Sequence, residues 1–425
     1  WSLLVAGAVV VLLAVSVRVP KPQAAATHTV LAIVAIVLVA AALAWPRLPS
    51  SCKGVALVLS TLSLTFGLLE ATCRVFRIDL SGRAAAFHAL PIYYRQPVVT
   101  MDGAFFRRPG PDRWTGRVIT TGARRSHADV GEAYADEPSI TVTYDADGFR
   151  NPAGLADWKV VVAGDSFTEL GYLRDEDLFT TRLGASLGCT VKNLGVSHTG
   201  TLTQVRYLRH FGKAPSTSDA VLVFYEGNDV DDILAERKRL LDFERDGTAA
   251  RRDLERDTSC LRRVIRMSSS VGTPRPLQPA THAWFRQGSS KVPITLMNGP
   301  VRRSGMSAES VAALGAALEE WADACRALDL RPWLLYMPCK LRVFDGHLEF
   351  TDAAPPLVRE WRPSDLQELV AEDCAKRGIR FVDSTAALVA ETEAGNLTYN
   401  TLYETHLNRR GSHVVAKVLA QAMRD

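Results

Sequence analysis

Four segments far apart in the chain carry residue types that together could perform acyl transfer. The run Lys159-Val160-Val161-Val162-Ala163-Gly164-Asp165-Ser166 is an apolar, β-type stretch broken by a glycine, and it delivers Asp165 and Ser166 to the start of the next element. A serine at the carboxyl end of a parallel strand faces the crevice where open α/β sheets hold their ligands, and the first N–H groups of the following helix point into the same space. Asp and Ser are also favoured helix N-caps, so this turn taken alone reads equally well as a cap. In Asn193-Leu194-Gly195-Val196-Ser197-His198-Thr199-Gly200, Gly195 follows a strand, and its N–H can donate to a developing oxyanion; a plain strand-ending turn has the same composition. In Ala220 to Asp229, Asn228 follows another strand and Gly227, where its amide is either a neutral oxyanion donor or a helix cap. In Tyr403-Glu404-Thr405-His406-Leu407-Asn408, His406 lies in a loop before a C-terminal helix that begins near Ser412. Imidazole is the side chain whose ordinary pKa lies nearest neutrality, so His406 can take the serine's proton, and Glu404 can orient its ring.

Other chemistries find little support. There is no HExxH and no His/Cys/Asp cluster at ligand spacing for a metal, and no GxGxxG follows a strand to hold a dinucleotide. No metal and no cofactor is expected. Fifty basic residues are interspersed with 46 acidic ones for a net charge of +4, which lacks the single-sign field of nucleic-acid binders. Seven cysteines at irregular spacing form no CxxC pair; Cys325, Cys339 and Cys374 are compatible with one disulfide or with buried thiols.

The elements that must position these residues alternate strand and helix, as in a parallel sheet covered on both faces. Strands are expected at Lys159 to Ala163, Val191 to Leu194, Ala220 to Tyr225, Trp333 to Tyr336 and Arg380 to Val382, in a flavodoxin-like, doubly wound α/β domain spanning residues 158–425. The clearest helical spacing runs from Ser307 to Leu328. Leu234 to Arg266 reads as a solvated helical insertion, and Met267 to Gly305, rich in Ser, Pro and Gly, as a long surface loop. Residues 77–157 read as a membrane-proximal connecting segment with some β structure, including an alternating strand at Ser139 to Tyr144.

Residues 1–76 carry three apolar runs, residues 1–17, Ala24 to Trp45 and Gly54 to Leu69, each close to the roughly 20 residues that span a bilayer core. They are expected to form three transmembrane helices, with the lipid bilayer as one partner and a membrane protein as a further candidate partner. Counting Arg18, Lys21, Arg74, Arg77 and Arg83 against Arg47 and Lys53 puts the large domain in the cytoplasm. The chain opens at Trp1 without a Met, which reads as a lost N-terminal flank whose charges would enter that count.

In this order, Gly-Asp-Ser, a post-strand Gly, Gly-Asn-Asp and an acid before His resemble the four blocks of the SGNH (GDSL) hydrolase family, over about Lys159 to Asp425. The absence of a second glycine after Ser166 separates the turn from the Gly-x-Ser-x-Gly elbow of α/β-hydrolases. The resemblance implies Ser166 as nucleophile, His406 as general base, and Ser166 N–H, Gly195 N–H and the Asn228 side chain as oxyanion donors. The family's acid commonly lies three residues before the histidine, where this chain has Tyr403; Glu404 takes the role from two residues before, as in related membrane-associated members. Tyr336-Met337-Pro338-Cys339-Lys340 resembles the Pro-x-Lys loop of the alginate-acetylation-like branch, and Tyr144 to Asn151 resembles the segment that precedes its catalytic strand. That branch works on extracytoplasmic polysaccharides, which moves the expected site of action to the outer face of a bacterial inner membrane. The expected activity is ester hydrolysis or O-acyl transfer, preferably of O-acetyl groups on carbohydrate or envelope polymers. The alternative is a catalytically silent SGNH-like binding or assembly subunit.

Overall fold

The computed structural model describes residues 44–55, 57, 58, 61, 62, 65, 99, 100, 105–108, 110–116, 140–171, 173–246, 281–287, 290–296, 302–401 and 405–425. The chain divides into two compact units, residues 1–89 with 248–274, and residues 90–247 with 275–425. In the first, positions 50–55, 57, 58, 61, 62 and 65 are helical. Among the described residues no helix is long and apolar enough to cross a membrane. The first two apolar runs lie almost wholly outside the described residues, as does part of the third.

The second unit carries the strands β1 (Val99–Thr100), β2 (Phe106–Arg107), β3 (Asp112–Gly116), β4 (Ile140–Tyr144), β5 (Val160–Gly164), β6 (Val191–Gly195), β7 (Asp219–Tyr225), β8 (Ala283–Gln287), β9 (Ser290–Ile294), β10 (Arg331–Met337), β11 (Leu348–Phe350) and β12 (Arg380–Asp383). Its helices are α1 (Ser166–Glu169), α2 (Phe179–Leu187), α3 (Thr201–Phe211), α4 (Asp229–Asp246), α5 (Ala308–Ala327), α6 (Lys340–Val343), α7 (Pro356–Arg359), α8 (Leu366–Lys376), α9 (Thr385–Glu393) and α10 (Arg409–Arg424).

Five strands pair in parallel in the order β12-β10-β7-β5-β6. Taking β5 as the first strand, this is the 2-1-3-4-5 order of flavodoxin-like sheets, with the order reversing at β5. The strands are apolar on both sides because both faces are covered: β5 and β7 are buried along their whole length. One core layer holds Phe167, Phe179, Leu183, Val223 and Leu419, and the other Leu194, Leu208, Leu222, Leu318 and Trp321. Helix α5 begins at the Ser307 cap, whose hydroxyl accepts the Ser310 N–H at 3.1 Å, and it buries Leu314, Leu318 and Trp321.

Two stretches differ from the sequence reading. Within Met267 to Gly305, β8 and β9 form a hairpin that joins β11 in an antiparallel three-stranded sheet. Its signal was alternation, with Ala283 and Phe285 buried against Trp284 and Arg286 outside, and the surrounding Ser, Pro and Gly masked it. Residues 140–151, from the stretch read as a connector, bury Tyr144, Arg150 and Asn151 in the same unit as the sheet. The five described cysteines, Cys52, Cys189, Cys325, Cys339 and Cys374, are free thiols. In the region read as a solvated helical insertion, α4 runs to Asp246; residues 247–266 lie outside the described ones.

Candidate active site

Ser166 begins α1 immediately past the carboxyl end of β5, beside the point where the strand order reverses. Asp165 is the N-cap: its Oδ1 accepts the Phe167 N–H at 2.8 Å. The cap and nucleophile readings of this turn are therefore compatible, since the cap fixes the turn that presents Ser166. As the first helical residue, Ser166 has no intrahelical acceptor for its own N–H.

His406, 240 positions away, places Nε2 2.6 Å from Ser166 Oγ. Its position is set from three sides. The N–H of Asn400 donates to the His406 carbonyl at 3.0 Å, and Leu407 bridges to Tyr399. The imidazole packs on Phe167 with centroids 4.6 Å apart, and Phe167 stacks on Tyr225 at 3.6 Å. Immediately after it, Asn408 caps α10 by accepting the Gly411 N–H at 3.0 Å. Ser166 Oγ also lies 3.3 Å from Asp165 Oδ2. One hydroxyl proton serves one acceptor at a time, and the shorter contact goes to His406. Glu404 lies outside the described residues.

The two remaining residues expected as donors are placed differently from the expectation. Gly195 ends β6, and its N–H donates to Asn193 Oδ1 at 2.7 Å, so it is occupied. Its missing side chain serves packing: a Cβ there would meet Glu169 N at 2.4 Å and the Thr168 carbonyl carbon at 2.6 Å, so the glycine lets β6 lie against α1. The residue of this loop with unusual backbone is His198, at φ 65°. The left-handed region costs a non-glycine residue about 1–3 kcal/mol and is concentrated at functional sites. Asn228 turns its Nδ2 to Asp232 Oδ2 at 2.5 Å and also supports Asp165, while its buried Oδ1 has no hydrogen-bond partner.

Close to Asp165 lies a group of buried or half-buried acids. Burial raises Asp165, Asp229 and Glu236 above the usual carboxylate range, and Asp232 is pushed up to about 7 by burial, with the charges of Asp165 and Glu236 adding to it. Among the described residues no group of His, Cys, Asp and Glu could hold a metal ion. Glu236 instead caps α3, accepting the N–H of Gly200 at 2.9 Å and of Leu202 at 3.0 Å. Between the ordinary carboxylate pKa and about 7, folded Asp232 holds a proton that the unfolded chain has released, so its contribution to stability falls as pH rises through that window. Thermal denaturation from pH 5 to 8 is expected to show Tm falling more steeply in the wild type than in Asp232→Asn; parallel profiles would refute the raised Asp232.

No protein-family model matches the chain, and comparison with curated proteins finds no match. Similarity is found among solved structures. The chain is similar to a lipolytic protein of the G-D-S-L family from Veillonella parvula, at 13% identity and TM-score 0.33, covering 62% of this chain and 96% of that one. It is similar to a carbohydrate esterase family 2 enzyme with its carbohydrate-binding domain from Corynascus thermopiles (Myceliophthora fergusii), at 12% identity and TM-score 0.33, covering 67% and 70%. A mutant of an acetyl-xylooligosaccharide esterase from Geobacillus is similar at 11% identity and TM-score 0.32, covering 63% and 94%. Likenesses of this size assign no activity.

Sequence reasoning missed the frame beneath α1. Glu169, three residues after Ser166, is fully buried, forms an ion pair with Arg108 whose Nε lies 2.6 Å from Oε1, and accepts hydrogen bonds from Arg108 Nη2 at 2.9 Å and the Tyr144 hydroxyl at 2.7 Å. The same carboxylate accepts the Ser197 N–H at 2.6 Å, which fixes the loop after β6. Arg150 donates to the carbonyls of Glu169 at 3.2 Å and of Leu173 at 2.8 Å. On the other side, buried Glu226 pairs with Arg342 at 2.5 Å and accepts the Cys339 N–H at 2.9 Å, tying the turn after β7 to α6. Lys340 of the Pro-x-Lys segment is buried and donates to the Thr295 carbonyl at 3.1 Å.

Proposed function

We propose that the chain is a membrane-anchored serine esterase or O-acyltransferase of SGNH type. The observation that carries this reading is the 2.6 Å contact between His406 Nε2 and Ser166 Oγ at the carboxyl end of β5. Ser166 Oγ attacks the ester carbonyl while its proton passes to His406 Nε2, and the collapsing tetrahedral intermediate expels the alcohol, which takes that proton. Water then gives hydrolysis, and a sugar hydroxyl gives acyl transfer. Glu404 is proposed to orient His406. Oxyanion donors are proposed to be Ser166 N–H and, in place of the occupied Gly195 N–H, the N–H of His198 in the neighbouring loop. Asn228 joins them when its amide turns over, with a protonated Asp232 donating to Oδ1 and Nδ2 released.

The preferred ester is an O-acetyl group on a carbohydrate or envelope polymer, handled on the periplasmic side of a bacterial inner membrane. Anchoring rests on the three apolar runs, and the exposed Val55, Leu57, Val58 and Leu62 of the third support it. A silent binding or assembly module is the rival reading, and it draws on Asn228, whose donors face carboxylates.

A fluorophosphonate distinguishes the two, because only an activated serine reacts quickly. Full-length protein in detergent is expected to gain one phosphonyl adduct on the peptide containing Ser166, and acetate release with and without an oligosaccharide acceptor then divides transfer from hydrolysis. Folded protein that takes up no label would leave the binding module.

A further inference from the structure

The turn after β6 contains one side chain whose presence its backbone opposes. At φ 65°, His198 occupies a conformation that glycine adopts freely, and glycine would present the same N–H. We propose that the His198 imidazole is a specificity-determining contact for the alcohol half of the ester, selecting alcohols that carry a hydroxyl beside the ester oxygen. This inference rests on the serine-esterase reading of Ser166.

The turn is held rigidly along the nucleophile helix. The Val196 N–H donates to the Gly164 carbonyl at 3.1 Å and the Ser197 N–H to Glu169 Oε2 at 2.6 Å, while Thr199 Oγ1 donates to the Val196 carbonyl at 2.6 Å. Gln204 Nε2 donates to the Thr199 carbonyl at 3.0 Å and closes the far end. Val196, Ser197, Thr199 and Gly200 are buried, and His198 alone in this turn is exposed. The Ser197 N–H bond to Glu169, the last residue of the helix that Ser166 begins, keeps the turn bearing His198 beside that helix.

Partial burial, aided by the charge of Arg108, lowers its pKa below the ordinary imidazole value, with Glu169 and Asp165 opposing. Near neutral pH the ring is therefore uncharged, with one nitrogen donating and the other accepting. That pair matches a hydroxyl group, which also donates and accepts. An apolar or aromatic alcohol has nothing to offer it.

The test uses two esters and the full-length chain: p-nitrophenyl acetate, whose alcohol has no neighbouring hydroxyl, and a monoacetylated methyl xyloside, whose alcohol has one on the adjacent carbon. His198→Gly is expected to lower kcat/KM for the xyloside about three- to tenfold more than for p-nitrophenyl acetate, the worth of one uncharged hydrogen bond. His198→Asn, which keeps a donor and an acceptor and tolerates the left-handed region, is expected to restore part of that ratio. Tm is expected to be higher in His198→Gly than in His198→Ala, which keeps the backbone conflict. An equal loss on both esters, or none, overturns the specificity role. Ser166-dependent turnover of p-nitrophenyl acetate without any turnover of the xyloside also overturns it and leaves the esterase reading standing. Absence of Ser166-dependent turnover of either ester removes the esterase reading, and this inference with it.

Discussion

Ser166→Ala is expected to lower kcat on p-nitrophenyl acetate by on the order of 10⁴- to 10⁶-fold, with Tm nearly unchanged. Serine nucleophile and histidine base act as one unit, so losing either forfeits the covalent route almost entirely. His406→Ala should therefore fall into the same range, and the double variant should be little worse than either single one. The small stability effect follows from the local geometry: the cap of α1 is the Asp165 carboxylate, which Ser166→Ala leaves in place. Steady-state kinetics on variants matched by circular dichroism check this. Losses that multiply in the double variant, or a Ser166→Ala enzyme within tenfold of wild type, would mean that the 2.6 Å contact is not a nucleophile–base pair.

The second large effect concerns folding. Arg108→Ala leaves the fully buried Glu169 carboxylate without its guanidinium, and breaking a buried pair from one side costs about 3–5 kcal/mol. Replacing both partners removes the stranded charge, so Arg108→Met combined with Glu169→Gln is expected to recover much of that loss. Urea unfolding of the single and double variants gives the coupling between them. Additive losses would show that the pair is not coupled. Glu169→Ala has a further consequence that Glu169→Gln does not, because it removes the acceptor for the Ser197 N–H and frees the loop that carries His198. Activity should therefore drop more in Glu169→Ala than its stability loss explains.

Much of the fold was legible because its signals are local. Five apolar, β-rich runs became the five parallel strands, each within two residues of its expected ends, since strand periodicity and terminal glycines are written over short windows. Ser166 and His406 were legible for the same reason, one at a strand end and the other before a helix, where an α/β sheet exposes side chains to its crevice. Asn228 was found by type, but the direction of its amide depends on Asp232 one helical turn onward and on Asp165 from another strand end.

By itself, then, the amino-acid order determined the α/β class and the strand sequence, and it put Ser166 and His406 at the ends of elements. Only the tertiary structure decided that the Gly195 N–H is occupied. Gly195 looked like a donor because a glycine after a strand can approach a ligand, yet a side chain two residues before it takes its N–H, and its lack of a Cβ admits the backbone of α1. Likewise, nothing in the spacing of Arg108, Tyr144 and Glu169 marks them as one cluster, since they lie up to 61 positions apart. The physical reason is common to both. Periodicity reports which face of an element is apolar, whereas the pairing of buried polar groups is settled by packing between distant elements, where each donor must find an acceptor once water is gone.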